Sequence, residues 1–164
     1  MKPADLLSLL VDVHRDKLAL YGRHEAGARA VGDYDFNNTY QYIVAREDVQ
    51  LSWLRAAIEE MGGTAPAEAV GVLPVPERGP NDEAPREVFA DDARLEQAFV
   101  DRWRERTEQV SNARQQGMLR VVVGEALEHK RFFEQAAAGR TDLLGRHMDG
   151  VENRGRVLNA RWVE

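Results

Sequence analysis

The sequence contains no cysteine. That absence removes disulfides, thiolate zinc sites, iron–sulfur clusters and cysteine nucleophiles together. Long apolar runs are also missing, and nothing approaches the roughly 20 residues needed to cross a bilayer. Asp12, His14, Arg15 and Asp16 interrupt the first apolar stretch, so no signal-peptide core stands there and a cytoplasmic location is expected. Positive charge is short: the formal net charge is −6. Arg140, Arg146, Arg154, Arg156 and Arg161 gather late in the chain, but acidic residues interleave with them. Neither nucleic acid nor a membrane surface is an expected partner, because both need a basic face. The serines are Ser8, Ser52 and Ser111, none in a strand–turn–helix elbow, and no Gly-x-x-x-x-Gly-Lys-Ser/Thr loop occurs. Acyl transfer and nucleotide hydrolysis are therefore not expected.

What is present reads as helix. At 164 residues with 43% apolar content, the chain has the size and composition of one globular domain. A first helix begins near Pro3, a favoured first-turn residue, and fades near Gly32; its apolar seam runs Leu7, Leu10, His14, Leu18, Tyr21, Glu25, Ala28. A second follows the turn at Asp33 and stops at Gly62-Gly63, with the seam Tyr40, Ile43/Val44, Glu47, Leu51, Leu54, Ile58, Met61. A third runs from about Arg86 to Val110 through Phe89, Ala93, Glu96, Val100, Trp103, Thr107 and Val110. A fourth runs from about Ala113 to Ala138 through Met118, Val122, Glu125, His129, Phe132 and Ala136. Only Ser111 and Asn112 mark the break between the last two, as candidate caps.

Apart from Pro3, every proline falls between Thr64 and Pro85, where no helix can persist. So long a connection needs a reason. Parallel second and third helices supply one. A helix of about 27 residues is about 40 Å long, and roughly 22 extended residues span that. The expected architecture is all-α: two helical hairpins joined by a long crossover at about 63–85, forming a four-helix bundle over residues 1–140. Residues 141–164 are expected to form a short helix near Asp142–Met148 and an apolar tail, Val157–Val163, that docks on the bundle or on a partner.

A face destined for burial should be apolar, yet His14, Glu47, Glu96, Glu125 and His129 sit on these seams. Burying an unpaired carboxylate costs several kcal/mol or forces its protonation, so each needs a partner. The offset from His14 to Glu47 equals that from Glu96 to His129, 33 residues in each hairpin. Carboxylates and imidazoles converging inside a bundle are a donor set for iron, manganese or zinc. Depth argues against one pairing: His14 lies 19 residues before Asp33 and Glu47 only 14 after it. That mismatch is about 7 Å of helix. The pair meets only across a lopsided turn.

The stretch Ala45–Gly63, Ala-Arg-Glu-Asp-Val-Gln-Leu-Ser-Trp-Leu-Arg, continuing to Met61-Gly62-Gly63, resembles the second helix of ferritin-like proteins such as rubrerythrins and bacterioferritins. Gly124-Glu125-Ala126-Leu127-Glu128-His129 resembles their fourth. The resemblance spans roughly residues 5–138 and implies the ferritin-like four-helix bundle. It also implies a Glu from the first helix of each hairpin and a Glu-x-x-His from the second. This chain departs from that pattern. His14 falls where the first Glu is expected, Gln50 follows Glu47, and Ala126 precedes His129, with Glu125 one turn earlier as a substitute. Asp92 or Glu96 supplies the third-helix carboxylate, Glu96 having the seam position.

The candidate metal ligands are thus His14, Glu47, Glu96, Glu125 and His129. Three carboxylates neutralise less charge than two divalent ions carry, so one ion or none fits more easily than two. The resemblance implies iron, with manganese or zinc as alternatives, and oxygen or peroxide chemistry of the ferroxidase or peroxidase kind. The competing reading is a metal-free bundle, with no cofactor, serving as an interaction or oligomerisation module. A mononuclear zinc or nickel enzyme ranks last, because His24 and His147 lie near helix ends. Pairing into a homodimer is expected of such bundles.

Overall fold

A computed structural model describes residues 2–69 and 84–145. It contains four helices: α1 Pro3–Ala30, α2 Tyr34–Glu60, α3 Ala84–Glu108 and α4 Ala113–Ala137. No strand occurs among the described residues. None of their helices is long and apolar enough to cross a membrane.

The local signals do what their chemistry predicts. Pro3 opens α1, with Asp5 in its first turn complementing the helix dipole. Asp33 caps α2 by accepting from the Phe36 amide at 3.1 Å, and Asn37 donates its side-chain amide to the Ala28 carbonyl at 2.7 Å. These bonds close a three-residue α1–α2 turn. Gly62, at φ 78°, ends α2 in the left-handed region that glycine tolerates. Asn112 caps α4 by accepting from the Gln115 amide at 3.1 Å, so the faint α3–α4 signal is a real break.

Helix α1 packs against α2 and α3, and α4 packs against α3 and α2. Arg23 of α1 and Tyr40 of α2 both reach Asp92 of α3, while Lys17 and Glu47 lie level with Glu96. Moving back along α1 therefore moves forward along both α2 and α3. The second and third helices are parallel, as the crossover length predicts. Residues 70–83 of the connection lie outside the described residues. At the other end, Leu143 and Gly145 donate back to Thr141 and Asp142 in turns. The remainder of the expected short helix and the whole Val157–Val163 tail also lie outside the described residues.

The interior has three levels. One apolar cluster joins Leu6, Leu10, Val13, Leu54, Ile58, Val100, Trp103, Leu119 and Val122; a second joins Ala28, Tyr40, Ile43, Phe89, Phe133 and Ala136. Between them lies a layer of fully buried charged and polar groups: Lys17, His24, Glu47, Glu96 and His129. The expected α3 seam is buried throughout. The expected α1 seam is displaced: Leu7, Leu18, Tyr21 and Glu25 are only partly buried, and the inner stripe is Leu6, Leu10, Val13, Lys17, Leu20, His24. Lys17, Arg23 and His24 make that stripe look like solvent face. On α4, Leu119, Ala126 and Phe133 point inward while Met118, Glu125 and Phe132 flank them.

Tyr40 rests on Gly27. A Cβ at position 27 would lie 2.8 Å from Tyr40 Cε1 and 2.9 Å from Cζ, closer than carbon atoms pack. Gly27→Ala is expected to cost about 1–3 kcal/mol by overpacking, despite alanine's better helix propensity. An unchanged urea midpoint would show that Tyr40 is free to move aside.

Candidate metal centre

Each helix sends at least one side chain into the buried polar layer. Lys17 and His24, seven residues apart, share one face of α1; Glu47 comes from α2, Glu96 from α3 and His129 from α4. All five are fully buried. The Lys17 ammonium donates to Glu47 Oε1 at 2.9 Å and lies 4.0 Å from Glu96 Oε2. His24 Nδ1 is 2.9 Å from Glu47 Oε2, and His129 Nδ1 is 3.1 Å from Glu96 Oε1. A carboxylate can only accept, so both Nδ1 atoms donate. Glu96 Oε2 and both Nε2 atoms accept and donate no hydrogen bond. His24, Glu47 and Glu96 can each present one ligand atom with all three within 4.8 Å of one another.

The layer holds its charge by internal compensation. Burial would raise the Glu47 carboxyl, but the positive charge at His24 and Lys17 and the bond from His24 outweigh it, holding the group down at about 2. Burial would likewise lower Lys17 and His24; for Lys17 the charges of Glu47 and Glu96 prevail, for His24 those of Glu47 and its hydrogen bond, so both are raised above their ordinary values. Phe99 lies under the Lys17 ammonium at 5.0 Å, and the Phe133 ring sits 5.0 Å from that of His24. These rings screen the layer from water on two sides.

A second buried set borders the first. Arg23 Nε donates to Asp92 Oδ1 at 2.6 Å, and the Tyr40 hydroxyl donates to the other oxygen of the same carboxylate. Burial first, and then the Asp92 charge, push the Tyr40 phenol well above its ordinary range. Tyr40 remains protonated and Asp92 stays with its two donors.

Of the five ligands expected from sequence, Glu47, Glu96 and His129 come together. His14 does not join them. It is buried with neither ring nitrogen hydrogen-bonded, and burial together with the Arg55 charge lowers its affinity for a proton. The inward position opposite Glu47 belongs to Lys17, three residues on, which removes the lopsided turn that a His14–Glu47 pairing required. Glu125 borders the layer, near enough for its charge to act on Lys17 and His129, but its carboxylate is engaged elsewhere. It is partly buried and held by the Arg46 guanidinium, with Nε at 3.1 Å, and by the Gln50 amide. Asp92, the alternative to Glu96, is taken by Arg23 and Tyr40.

Sequence reasoning missed Lys17 and His24. The signal was available: Leu6, Leu10, Val13, Lys17, Leu20 and His24 keep alternating spacings of three and four residues, a cleaner stripe than the seam through Tyr21 and Glu25.

The donor set does not fit two divalent ions. Among the described residues two carboxylates enter the layer, an ammonium stands against both, Gln50 is turned onto Glu125, and Ala126 brings no ligand. One ion fits better: two carboxylates balance its charge, and His24 offers an imidazole atom within 4.8 Å of both.

The fold is similar to that of a solved structure described as ferritin-like, diiron-carboxylate proteins from Bacillus anthracis. The TM-score is 0.68 at 15% identity, over 84% of this chain and 99% of that one. It is similar as well to a conserved hypothetical protein from Mycobacterium tuberculosis, with a TM-score of 0.64 at 15% identity, over 79% of this chain and 94% of that one. No family model matches the chain, and no curated protein matches it. Helix order, the parallel α2–α3 arrangement and these likenesses together give the chain the ferritin-like fold.

Proposed function

We propose that this chain is a ferritin-like protein that binds a single divalent cation, iron(II) or manganese(II), between His24, Glu47, Glu96 and His129. The observation that supports it is the convergence of His24, Glu47 and Glu96 ligand atoms within 4.8 Å inside a fully buried layer. Mixed imidazole and carboxylate donors suit these metals. When bound, such an ion supplies Lewis-acid or one-electron redox chemistry. The surrounding chain does the rest. His24 and Lys17 keep Glu47 ionised, the Phe99 and Phe133 rings exclude water, and Arg23 with Tyr40 keeps Asp92 from competing for the ion.

The Bacillus anthracis neighbour is described as a diiron-carboxylate protein, and this chain's donor set supports half of that complement. The test is metal loading. Protein stripped with chelator, desalted and titrated anaerobically with manganese(II) or iron(II) is expected to retain about one equivalent. Glu96→Gln is expected to weaken retention by at least about 100-fold, since losing even a group that only supports a ligand costs a metal site up to that much. Retention below a tenth of an equivalent in the parent protein would reduce the layer to a structural ion-pair network, the reading favoured by the 2.9 Å Lys17–Glu47 bond.

A further inference from the structure

Both carboxylates of the buried layer face two ways. Glu47 turns Oε2 to His24 and Oε1 to Lys17; Glu96 turns Oε1 to His129 and Oε2 towards Lys17, at 4.0 Å. A pair of bridging carboxylates therefore separates two cation positions. One is lined by imidazoles, and the other is filled by the Lys17 ammonium. We propose that Lys17 is a built-in second cation that fixes the capacity of the site at one metal ion; this rests on the single-ion reading above.

Charge bookkeeping supports it. One divalent ion plus the ammonium against two carboxylates leaves one positive charge in the layer. Exchanging the ammonium for a carboxylate and a second divalent ion leaves the same excess, with Glu47 and Glu96 bridging the two ions. Lys17 is also well placed to be replaced. It projects from α1 into the midst of α2 and α3, its ammonium lies over the Phe99 ring, and a glutamate there is shorter by enough to leave room for an ion. Neither Asp92 nor Glu125 can take that role without abandoning Arg23 or Arg46.

The experiment compares the parent chain with Lys17→Glu and Lys17→Gln, each shown to be helical and cooperatively melting, in manganese(II) titrations read by metal analysis and electron paramagnetic resonance. The parent is expected to hold one equivalent with an isolated-ion signal. Lys17→Glu is expected to hold two, with the signal of an exchange-coupled pair. Lys17→Gln, which removes the charge without adding an anionic ligand, is expected to hold one ion at least about tenfold more tightly, because a unit charge a few ångströms away no longer opposes it. Lys17→Glu stopping at one equivalent, or Lys17→Gln binding no more tightly than the parent, overturns the proposal. Should Lys17→Glu fail to fold, the affinity of Lys17→Gln decides it alone. A parent that binds nothing while Lys17→Glu binds two ions sinks the single-ion reading and leaves the role of Lys17 standing. Failure of all three to bind sinks both.

Discussion

Replacing Glu47 with alanine is expected to cost about 3–5 kcal/mol of folding stability at neutral pH, the range seen when one partner of a buried ion pair is removed. The reason lies in what remains. Lys17 keeps its charge fully buried, with Glu96 at 4.0 Å and the more distant Glu125 as its remaining counter-ions, and His24 loses the acceptor of its Nδ1 proton. Domains of this size have about 5–15 kcal/mol of stability in total, so the variant lies close to unfolding at room temperature. Urea denaturation followed by circular dichroism measures the loss. The double variant Glu47→Leu with Lys17→Met is expected to recover most of it, because a well-packed apolar pair removes both desolvation costs. A single variant within 1 kcal/mol of the parent would mean that the charged layer is wetter than its geometry implies.

Acid is expected to unfold the bundle through the same residue. Glu47 is held at about 2 against an ordinary 4.5, so its pairing contributes fully above pH 4.5 and is lost as pH falls towards 2. That shift corresponds to about 3 kcal/mol. Glu125, lowered by Arg46 and Gln50 in spite of its partial burial, works in the same direction at a more exposed place. His24 runs the other way. Its raised value means that its contribution is complete below 6.5 and declines as pH rises through the folded value. Lys17, also raised, contributes fully below 10.5 and fails only in strong alkali. His14, lowered by burial and the Arg55 charge, works with Glu47: its contribution is complete above 6.5 and is lost as pH falls through the folded value, so it offsets His24 and stability should fall towards acid. Urea midpoints measured between pH 2 and pH 7 test this. The slope between pH 4.5 and pH 2 should flatten in Glu47→Gln, and equal slopes in the two proteins would refute the assignment.

The bundle was legible because its punctuation is local. Pro3, Asp33, Gly62 and Asn112 act within a turn of where they stand, and the proline cluster after Thr64 excludes helix whatever surrounds it. Helix α3 was legible for a different reason: its buried face is apolar except at Asp92, Glu96 and Thr107, so the period survives. Helix α1 carries four ionisable residues, His14, Lys17, Arg23 and His24, on or beside its inner stripe, and hydropathy assigns such residues to water. Placing Lys17 and His24 required knowing that Glu47 and Glu96 would be waiting across the interface, which is tertiary information. The tryptophans make the same contrast: Trp53 is 38% exposed and Trp103 is 1%. Trp103 is fixed by a bond to Asp16 at 2.9 Å from another helix, which nothing in its own neighbourhood announces.

The apolar clusters above and below the charged layer would tolerate sliding, since one leucine accepts another a turn further on. The layer does not. Shifting any one rod by a single helical turn, about 5.4 Å, would set a carboxylate or an ammonium against leucine and phenylalanine and strand its counterpart. Five side chains near mid-height therefore act as a latch that admits one axial alignment of the four rods, so that the greasy ends need only be greasy.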